Sequence, residues 1–225
     1  MPKLEIPIET LADALAAQEG GADSIEISRD LSLDGLTPDF DLVRRIRDSV
    51  KIAVHVMIRP HARDFVYTER EMDGIIGDAR TLAQSGVNGV VFGALTPENR
   101  LDLVQVERVA QAAAPIPLTV HRALDFSLEP EPALAGLIGI VPRVLTSGPA
   151  STAWEGRLAL ANWVSRYGNN LEFVVAGRLK LEQLAELITL VRAPAYHFGS
   201  AARSGNSVDV EKVRALGAVL RETRP

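Results

Sequence analysis

The stretch Leu118-Thr119-Val120-His121-Arg122-Ala123-Leu124-Asp125-Phe126 has the pattern of a short β-branched strand that ends in polar side chains. Successive strand residues point to opposite faces, so Thr119 and His121 share one face of this strand. Arg122 and Asp125 follow just beyond its carboxyl end. Three side chains capable of chemistry therefore come together at one strand terminus, and the rest of the chain is interpreted from this point.

The composition is that of a globular protein with a sizeable core. The chain has 225 residues, of which 47% are hydrophobic and 24% are charged. No Ser/Gly-rich run, charge block or low-complexity segment marks a linker. We therefore expect a single domain over residues 1–225.

Charge and residue usage exclude several classes of function. The net charge is −5, and the Lys and Arg residues are scattered rather than clustered, which argues against a nucleic-acid or anionic-membrane partner. No apolar run approaches membrane-spanning length and the N-terminus has no apolar signal core, so we expect a cytoplasmic protein. The absence of Cys excludes disulfides, thiolate metal sites and cysteine nucleophiles.

Strand and helix patterns alternate along the whole chain. The predicted strands are Leu4–Pro7, Asp23–Ser28, Lys51–Ile58, Asn88–Gly93, the strand that begins at Leu118, Pro142–Thr146, Leu171–Ala176 and Ala195–Phe198. The predicted helices are Thr10–Gly20, Pro38–Val50, Glu69–Ser85, Leu101–Ala113, Ala133–Leu137, Ala153–Tyr167, Leu181–Val191 and Asp209–Glu222. Thr37-Pro38 and Thr96-Pro97 are predicted to cap the helices that follow them.

Strict alternation of strands and helices predicts a parallel sheet with helices outside it. Eight such units predict an α/β fold of the (β/α)₈ TIM-barrel type, for which about 200 residues is the lower end of the usual size range. The alternative is an open doubly wound sheet. That fold usually carries a Gly-rich loop after its first strand, and Pro7-Ile8-Glu9-Thr10 contains no Gly.

The alternation of residues within each predicted strand separates an outer from an inner face. In the third strand Val54 and Val56 belong to an aliphatic face that suits the helices, whereas His55 and Arg59 share the other face. The polar residues predicted to point inward are Glu5, Glu26, His55, Arg59, Thr119 and His121. Buried charges cost several kcal/mol each unless they are paired. The pattern therefore predicts a polar pocket at the carboxyl ends of the strands.

Three residues of this pocket are candidate catalytic groups. His121 and Glu26 are candidates for a general base, and Asp125 lies beside them at the same edge. Glu26 could instead form a buried ion pair with Arg59. Glu5 lies deeper and is interpreted as structural, as is His197, which is predicted to be a hydrogen-bonded core histidine.

Small residues and arginines at the strand ends indicate an anion site. Backbone N–H groups of glycine-rich turns bind phosphate or carboxylate, often after strands seven and eight of a barrel. The candidate ligand-binding residues are Arg59, Arg122, Ser147, Gly148, Gly177 and Gly199, with Arg178 beside them. The expected ligand is a small phosphorylated or carboxylated molecule.

Several motifs resemble one known family. They are Leu4-Glu5-Ile6, Gly20-Gly21-Ala22-Asp23-Ser24-Ile25-Glu26, Gly35-Leu36-Thr37-Pro38, Val54-His55, Ile58-Arg59-Pro60, Asp64-Phe65-Val66-Tyr67, His121-Arg122-Ala123-Leu124-Asp125 and Val144-Leu145-Thr146-Ser147-Gly148. In this order they are similar to the CutC family of copper homeostasis proteins. The match is collinear from Leu4 to about Gly148 and looser through Gly177 and His197. The resemblance implies a (β/α)₈ barrel, a cytoplasmic location, a homodimer or higher homo-oligomer, and copper ion binding.

The resemblance leaves three hypotheses for the function. Family members whose copper binding has been argued from cysteines carry them about where Pro7 and Ser28 stand here, so copper would need other ligands. His55 and His121, with Glu26, could hold Cu(II) across the fourth strand. The second hypothesis is an enzyme that acts on a small anionic metabolite by acid/base chemistry, and the third is a barrel without catalytic activity.

Overall fold

Eight parallel strands close into a barrel in the computed structural model, which describes residues 1–223. The strands are β1 (Lys3–Ile8), β2 (Ser24–Ile27), β3 (Ala53–Met57), β4 (Gly89–Phe92), β5 (Leu118–Val120), β6 (Arg143–Thr146), β7 (Glu172–Val175) and β8 (Ala195–His197). The helices are α1 (Leu11–Glu19), α2 (Phe40–Ser49), α3 (Glu69–Ala83), α4 (Leu103–Ala113), α5 (Pro130–Leu137), α6 (Arg157–Tyr167), α7 (Leu181–Val191) and α8 (Val210–Glu222). Strand β1 pairs with β8, so the predicted (β/α)₈ TIM barrel is confirmed.

The main core lies between the strands and the surrounding helices. Outward side chains of neighbouring strands are fully buried there against helix residues, and they include Ile6, Ile25, Val54 and Val56. These are the residues that alternation assigned to the outer face. Burial of such side chains contributes about 1.5–3 kcal/mol each relative to exposure.

The inside of the barrel is divided into an apolar half and a polar half. The apolar half is a separate small cluster from the later strands: Leu145, Val174, Ala176 and Ala195. The polar half contains buried Glu5, Ser24 and Glu26 on the first two strands. Because inward residues of all strands share this limited space, polar side chains of the first strands meet those of the last across the β1–β8 closure.

Two predicted helix caps are wrong. Helix α2 begins one residue after Asp39, whose carboxylate accepts hydrogen bonds from the N–H groups of its first turn, and α4 is capped in the same way by Asp102. Thr37 instead joins the end of β3: its N–H donates to the Arg59 carbonyl at 2.9 Å, and its hydroxyl accepts from the Arg59 N–H at 2.8 Å. Thr37 was expected at a helix end from its local preference, but its hydrogen bonds with Arg59 place it beside the end of β3 instead.

Two helices also begin away from their predicted positions. Helix α5 starts at Pro130 rather than Ala133, because Pro is well accommodated in the first turn, where its missing N–H is not needed. Helix α6 starts at Arg157, since the Ala153 N–H donates to the Gly177 carbonyl at 2.9 Å and the preceding residues form turns.

Short elements cover the carboxyl end of the barrel. They are the 3₁₀ helices Leu31–Leu33, Arg122–Phe126 and Ser200–Ala202, and a small antiparallel pair, β9 (Arg203–Ser204) with β10 (Ser207–Val208). None of the helices within residues 1–223 combines the length and apolar character needed to cross a bilayer.

Candidate active site at the mouth of the barrel

A cavity of about 980 Å³ opens at the carboxyl ends of the strands. Its lining includes five of the residues predicted for a site here: Glu26, Arg59, His121, Arg122 and Asp125. Gly177 and Gly199 also line it. Volumes near 300–1,000 Å³ are typical of small-molecule sites, and barrels of this type carry their chemistry at this end.

The floor of the cavity holds an imidazole between two carboxyl groups. His197 Nδ1 lies 3.0 Å from Glu5 Oε1. One carboxylate oxygen each of Glu5 and Glu26 and one ring nitrogen of His197 all lie within 4.8 Å of one another. The other Glu5 oxygen accepts from Ser24 Oγ at 2.9 Å and from Arg143 Nη2 at 2.8 Å. Glu5 is thus fully occupied by protein donors and fixes the orientation of the His197 ring.

Glu26 is the member of this group without a partner. Its side chain is buried, lines the cavity, and accepts no hydrogen bond from any residue in the described range 1–223. Burial raises the pKa of the Glu26 carboxyl, and the negative charge of Glu5 raises it further, against the opposing charge of His197. A buried carboxyl with a raised pKa in a cleft is a typical general acid or base.

The charges of Glu5 and His197 are set by their mutual contact and by Arg143. Burial acts to raise the pKa of Glu5, but the Arg143 charge and the His197 hydrogen bond hold this pKa well below its usual value. Burial acts to lower the pKa of His197, but the Glu5 hydrogen bond and the nearby carboxylates raise it above its usual value. The contact therefore favours an ionised Glu5 carboxylate beside a protonated His197 ring.

His121 is a neutral histidine on the opposite side of the cavity. Burial lowers its pKa to about 3, and the Arg59 charge acts in the same direction. Its Nδ1 accepts a hydrogen bond from the Ala123 N–H at 3.1 Å, so the ring proton lies on Nε2. Nε2 is buried and has no hydrogen-bond partner among the described residues. A neutral imidazole N–H of this kind can donate a hydrogen bond to a ligand oxygen.

Arg59 connects the loop after β2 to the aromatic wall of the cavity. Its Nη1 donates to the Leu33 carbonyl at 2.9 Å and to the Gly35 carbonyl at 3.3 Å, and its guanidinium lies 4.7 Å from the centre of the Phe65 ring. Within residues 1–223 Arg59 forms no ion pair with Glu26. The buried Glu26–Arg59 ion pair considered from the sequence is therefore corrected: the arginine is held by carbonyl dipoles, and its charge is not neutralised by a carboxylate.

Asp125 organises the loops of β5 and β6. It accepts hydrogen bonds from Arg122 Nε at 2.9 Å, from Ser147 N at 3.1 Å and Ser147 Oγ at 2.8 Å, and from Thr146 Oγ1. Burial raises its pKa, while these donors lower it. A carboxylate with four protein donors has little free capacity for a substrate. Asp125 was predicted as catalytic, and this stays a prediction; the contacts observed are those of a residue that orients Arg122.

The glycine-rich strand ends differ from the anion cradle expected from the sequence. The Ser147 N–H donates to Asp125, and the Gly148 N–H donates to Thr146 Oγ1 at 2.9 Å, so neither is available to an anion. Gly177, with φ of +102°, lies so close to Ser147 that an added Cβ would be 2.6 Å from the serine Cβ. The prediction that the Ser147 and Gly148 N–H groups bind an anion is therefore wrong. Gly177 and Gly199 do line the cavity.

The structure does not bring His55 and His121 together. His55 Nδ1 lies against Gly89 and His121 Nδ1 against Gly93, at 2.8 and 2.7 Å from where a glycine Cβ would be. These glycines are four positions apart along the chain, a rise of about 13 Å in extended backbone. His55 does not line the cavity, and Glu26 groups with Glu5 and His197 instead. The predicted three-ligand metal site of His55, His121 and Glu26 is corrected accordingly.

Copper, which the family name implies, does not fit the donor atoms present. Cu(I) favours thiolate and thioether ligands, yet the chain has no Cys, and Met57 is the sulfur side chain that lines the cavity. In the group of Glu5, Glu26 and His197, both Glu5 oxygens already accept protein hydrogen bonds. The Arg143 guanidinium at 2.8 Å from Glu5 also opposes the binding of a divalent cation.

Sequence reasoning missed four residues of the site. His197 was interpreted as a core histidine, and it is one, but it also lines the cavity. Arg143, which binds Glu5, and the lining residues Phe65 and Phe126 were not assigned to the site. The alternation of β6 could have found Arg143, since it shares the inward face with Leu145 and Ser147. Phe65 and Phe126 lie on loops, where residue periodicity gives no signal.

The fold and the site together define a class: a (β/α)₈ barrel whose mouth encloses charged and aromatic side chains. A model of the CutC family matches residues 2–202. A CutC family protein of Mesorhizobium japonicum is 37% identical over 201 residues, covering 89% of this chain and 78% of the relative. One from Xylella fastidiosa is 36% identical over 216 residues, covering 96% of this chain and 78% of the relative. The chain belongs to the CutC family.

Solved structures support the fold. A candidate copper homeostasis protein CutC from Streptococcus agalactiae has a TM-score of 0.83 and 23% identity, and the match covers 89% of this chain and 99% of that one. Phosphoribosyl anthranilate isomerase from Thermococcus kodakaraensis has a TM-score of 0.68 and 17% identity, covering 99% of this chain and 100% of that one. At these identities the likeness establishes the barrel and carries no conclusion about the reaction.

Proposed function

We propose that this CutC family barrel is an enzyme that binds a small anionic metabolite at its mouth and transfers a proton on it. The observation that carries the proposal is the partnerless Glu26 carboxyl, buried in the cavity within 4.8 Å of His197 and with a raised pKa. Pairs of titratable groups whose environments push their pKa values apart are typical of acid/base sites. A barrel core without such a role would be filled by aliphatic side chains.

Each side chain has a distinct role in this proposal. Glu26 removes or delivers a proton at a carbon or oxygen of the ligand. His197, held by Glu5, exchanges a proton with the neighbouring atom of the ligand. His121 donates its Nε2 proton in a hydrogen bond to an oxygen on which negative charge develops. The anionic group of the ligand interacts with Arg178, which has no hydrogen bond or ion pair in the described part of the chain, and the charges of Arg59 and Arg122 at the same mouth add to the attraction.

Copper handling is the second candidate function. The name of the Streptococcus agalactiae protein attaches copper to that relative, and Glu5, Glu26 and His197 bring three potential metal-ligand atoms within 4.8 Å of one another. The Arg143 contact and the absence of thiolates weigh against it. We place copper second for this reason.

The first experiment measures binding. Inorganic phosphate, glycerol 3-phosphate, citrate, Cu(II) and Cu(I) are each added to the purified protein, and thermal unfolding is compared with that in NaCl of equal ionic strength. We expect at least one anion to stabilise the protein, by about 2.7 kcal/mol at 100 times its Kd, and Arg59→Gln to weaken this effect. Stabilisation by copper alone would favour the second candidate.

The second experiment measures proton transfer. Phosphorylated α-hydroxy ketones are incubated with the protein in D₂O, and proton NMR follows the loss of the signal from the carbon next to the carbonyl. We expect exchange with the unmodified protein, loss of exchange in Glu26→Gln with binding retained, and full exchange in the surface control Glu107→Gln. Equal exchange in Glu26→Gln would contradict the assignment of Glu26.

We also propose a cytoplasmic location and a homodimer or higher homo-oligomer, because the family resemblance implies both. Light scattering of the purified chain would measure its mass in solution, and a monomer at all concentrations would contradict the second.

A further inference from the structure

A large aromatic side chain stands exposed at the rim of the cavity. Phe126 is 59% exposed and lines the cavity, with its ring centre 5.7 Å from that of Phe65. Phe65 in turn lies 5.0 Å from the His121 ring. The three rings form a continuous wall from the rim inward. Separations of 4.5–7 Å between ring centres are those at which aromatic rings attract one another.

The neighbours of Phe126 hold it in this exposed position. Leu124, two residues before it, is fully buried, and Asp125 is fixed by its four donors. Ser127, directly after it, is buried, and its hydroxyl accepts a hydrogen bond from the Leu101 N–H at 3.2 Å. With the residues on both sides anchored, the ring remains on the rim at a cost in exposed apolar surface of about 25 cal/mol per Å². The segment therefore presents the ring as a fixed surface.

The opposite side of the mouth has a different character. The barrel order places the loop after β7 across from the loop after β3, which carries Phe65, and the loop after β8 three strands from the loop after β5, which carries Phe126. Gly177, Arg178 and Gly199 line the cavity there, and the Arg178 side chain is exposed without a partner in the described range. One side of the mouth is thus aromatic, with Arg59 held over Phe65 by backbone carbonyls, and the other consists of small residues with the exposed Arg178.

We propose that the ligand has two parts: a phosphate or carboxylate on the β7–β8 side and a planar aromatic ring that stacks on Phe126 and Phe65. This inference rests on the proposed function and adds the chemical class of the substrate. The cavity of about 980 Å³ has room for both parts, because complete ligands occupy sites of about 300–1,000 Å³.

The test compares ligands that differ in the ring. Phenyl phosphate, glycerol 3-phosphate and inorganic phosphate are titrated calorimetrically into the full chain at fixed salt. We expect phenyl phosphate to bind more tightly than glycerol 3-phosphate, and Phe126→Ala to reduce its affinity by about 2- to 10-fold, the range for one aromatic contact. Phe126→Trp should retain the preference. Leu190→Ala, which removes another exposed apolar side chain at the end of α7, should leave both affinities unchanged.

The outcomes separate this inference from the proposed function. If none of the anions binds, both fail. If phenyl phosphate and glycerol 3-phosphate bind equally well and Phe126→Ala changes neither, the anion site stands and the ring site is overturned. If Phe126→Ala lowers the mass measured by light scattering and leaves the affinities unchanged, the ring belongs to an interface between copies of the chain, which also overturns the inference.

Discussion

At the scale of single residues, Glu5 has the most demanding position in the barrel. Its side chain is fully buried, and its two oxygens accept from Ser24, Arg143 and His197. Arg143 in turn lies 3.4 Å from the Glu172 carboxylate, which is one-third exposed. Such a pair is weak evidence for net stabilisation, but the loss of one partner leaves a buried charge without compensation.

We predict that Arg143→Met lowers the free energy of unfolding by about 3–5 kcal/mol, because it removes the permanent cation beside the buried Glu5 and leaves that carboxylate paired with His197 alone. The measurement is urea denaturation at pH 7. The double variant Glu5→Gln/Arg143→Met should recover much of the loss, since the fully buried Glu5 charge is then removed together with its cation. A single variant as stable as the unmodified protein would show that Glu5 takes up a proton or is reached by water.

At the scale of elements, β4 is shaped by the two histidines that pack against it. Gly89 and Gly93 face the rings of His55 and His121, and an added Cβ would approach the ring nitrogens to 2.8 and 2.7 Å. No other residue type leaves room for rings at this distance. The small residues of β4 therefore set the positions of both imidazoles.

The prediction at this scale is that Gly93→Ala destabilises the protein by about 1–3 kcal/mol, as overpacking does, and displaces the His121 ring. Gly77→Ala is the matched control: it lies exposed in the middle of α3 with nothing within 4 Å of an added Cβ. It should stabilise the protein by about 0.5–1 kcal/mol. Urea denaturation measures both, and equal effects of the same sign would contradict the role assigned to β4.

Elements also show how far the sequence could be interpreted. Alternation within strands correctly assigned Glu5, Glu26 and His121 to the interior, because each strand has a buried aliphatic face. It could not show that Glu5 meets Arg143, 138 positions away, since alternation gives the face of a strand and not its height along the barrel axis. The same limitation explains why His55 and His121 were expected to share a metal ion. Loop residues such as Phe126 have no periodicity to follow.

At the scale of the whole molecule, stability should depend on pH through His121. Its pKa is lowered to about 3 in the folded chain, against an ordinary value of about 6.5 in the unfolded chain. Between these values the unfolded chain binds more protons, so stability falls as the pH decreases from about 6.5 toward 3. The raised pKa of Glu26 has the opposite effect: its contribution to stability is present at low pH and is lost as the pH rises above the ordinary value of this carboxyl. The measured dependence of stability on pH is the sum of both contributions.

We predict that His121→Asn makes the loss of stability between pH 6.5 and pH 4 shallower, by an amount on the order of a few kcal/mol. The Asn amide oxygen can still accept from the Ala123 N–H. Denaturant unfolding at a series of pH values measures the slope, and NMR of the ring carbons should show His121 neutral down to pH 4. A ring that titrates near 6.5 would refute the assignment of His121 as a neutral donor.

The closure of β1 against β8 has a consequence for how the protein is made. Glu5 and His197 are 192 positions apart, yet each completes the other. Contacts of such long separation form late and slowly in folding. A nascent chain that lacks β8 has no His197 to accompany Glu5 and Glu26, so the proposed acid/base group can form only after β8 has been synthesised. Chains that stop before β8 should therefore lack the proton-transfer activity proposed for the complete barrel.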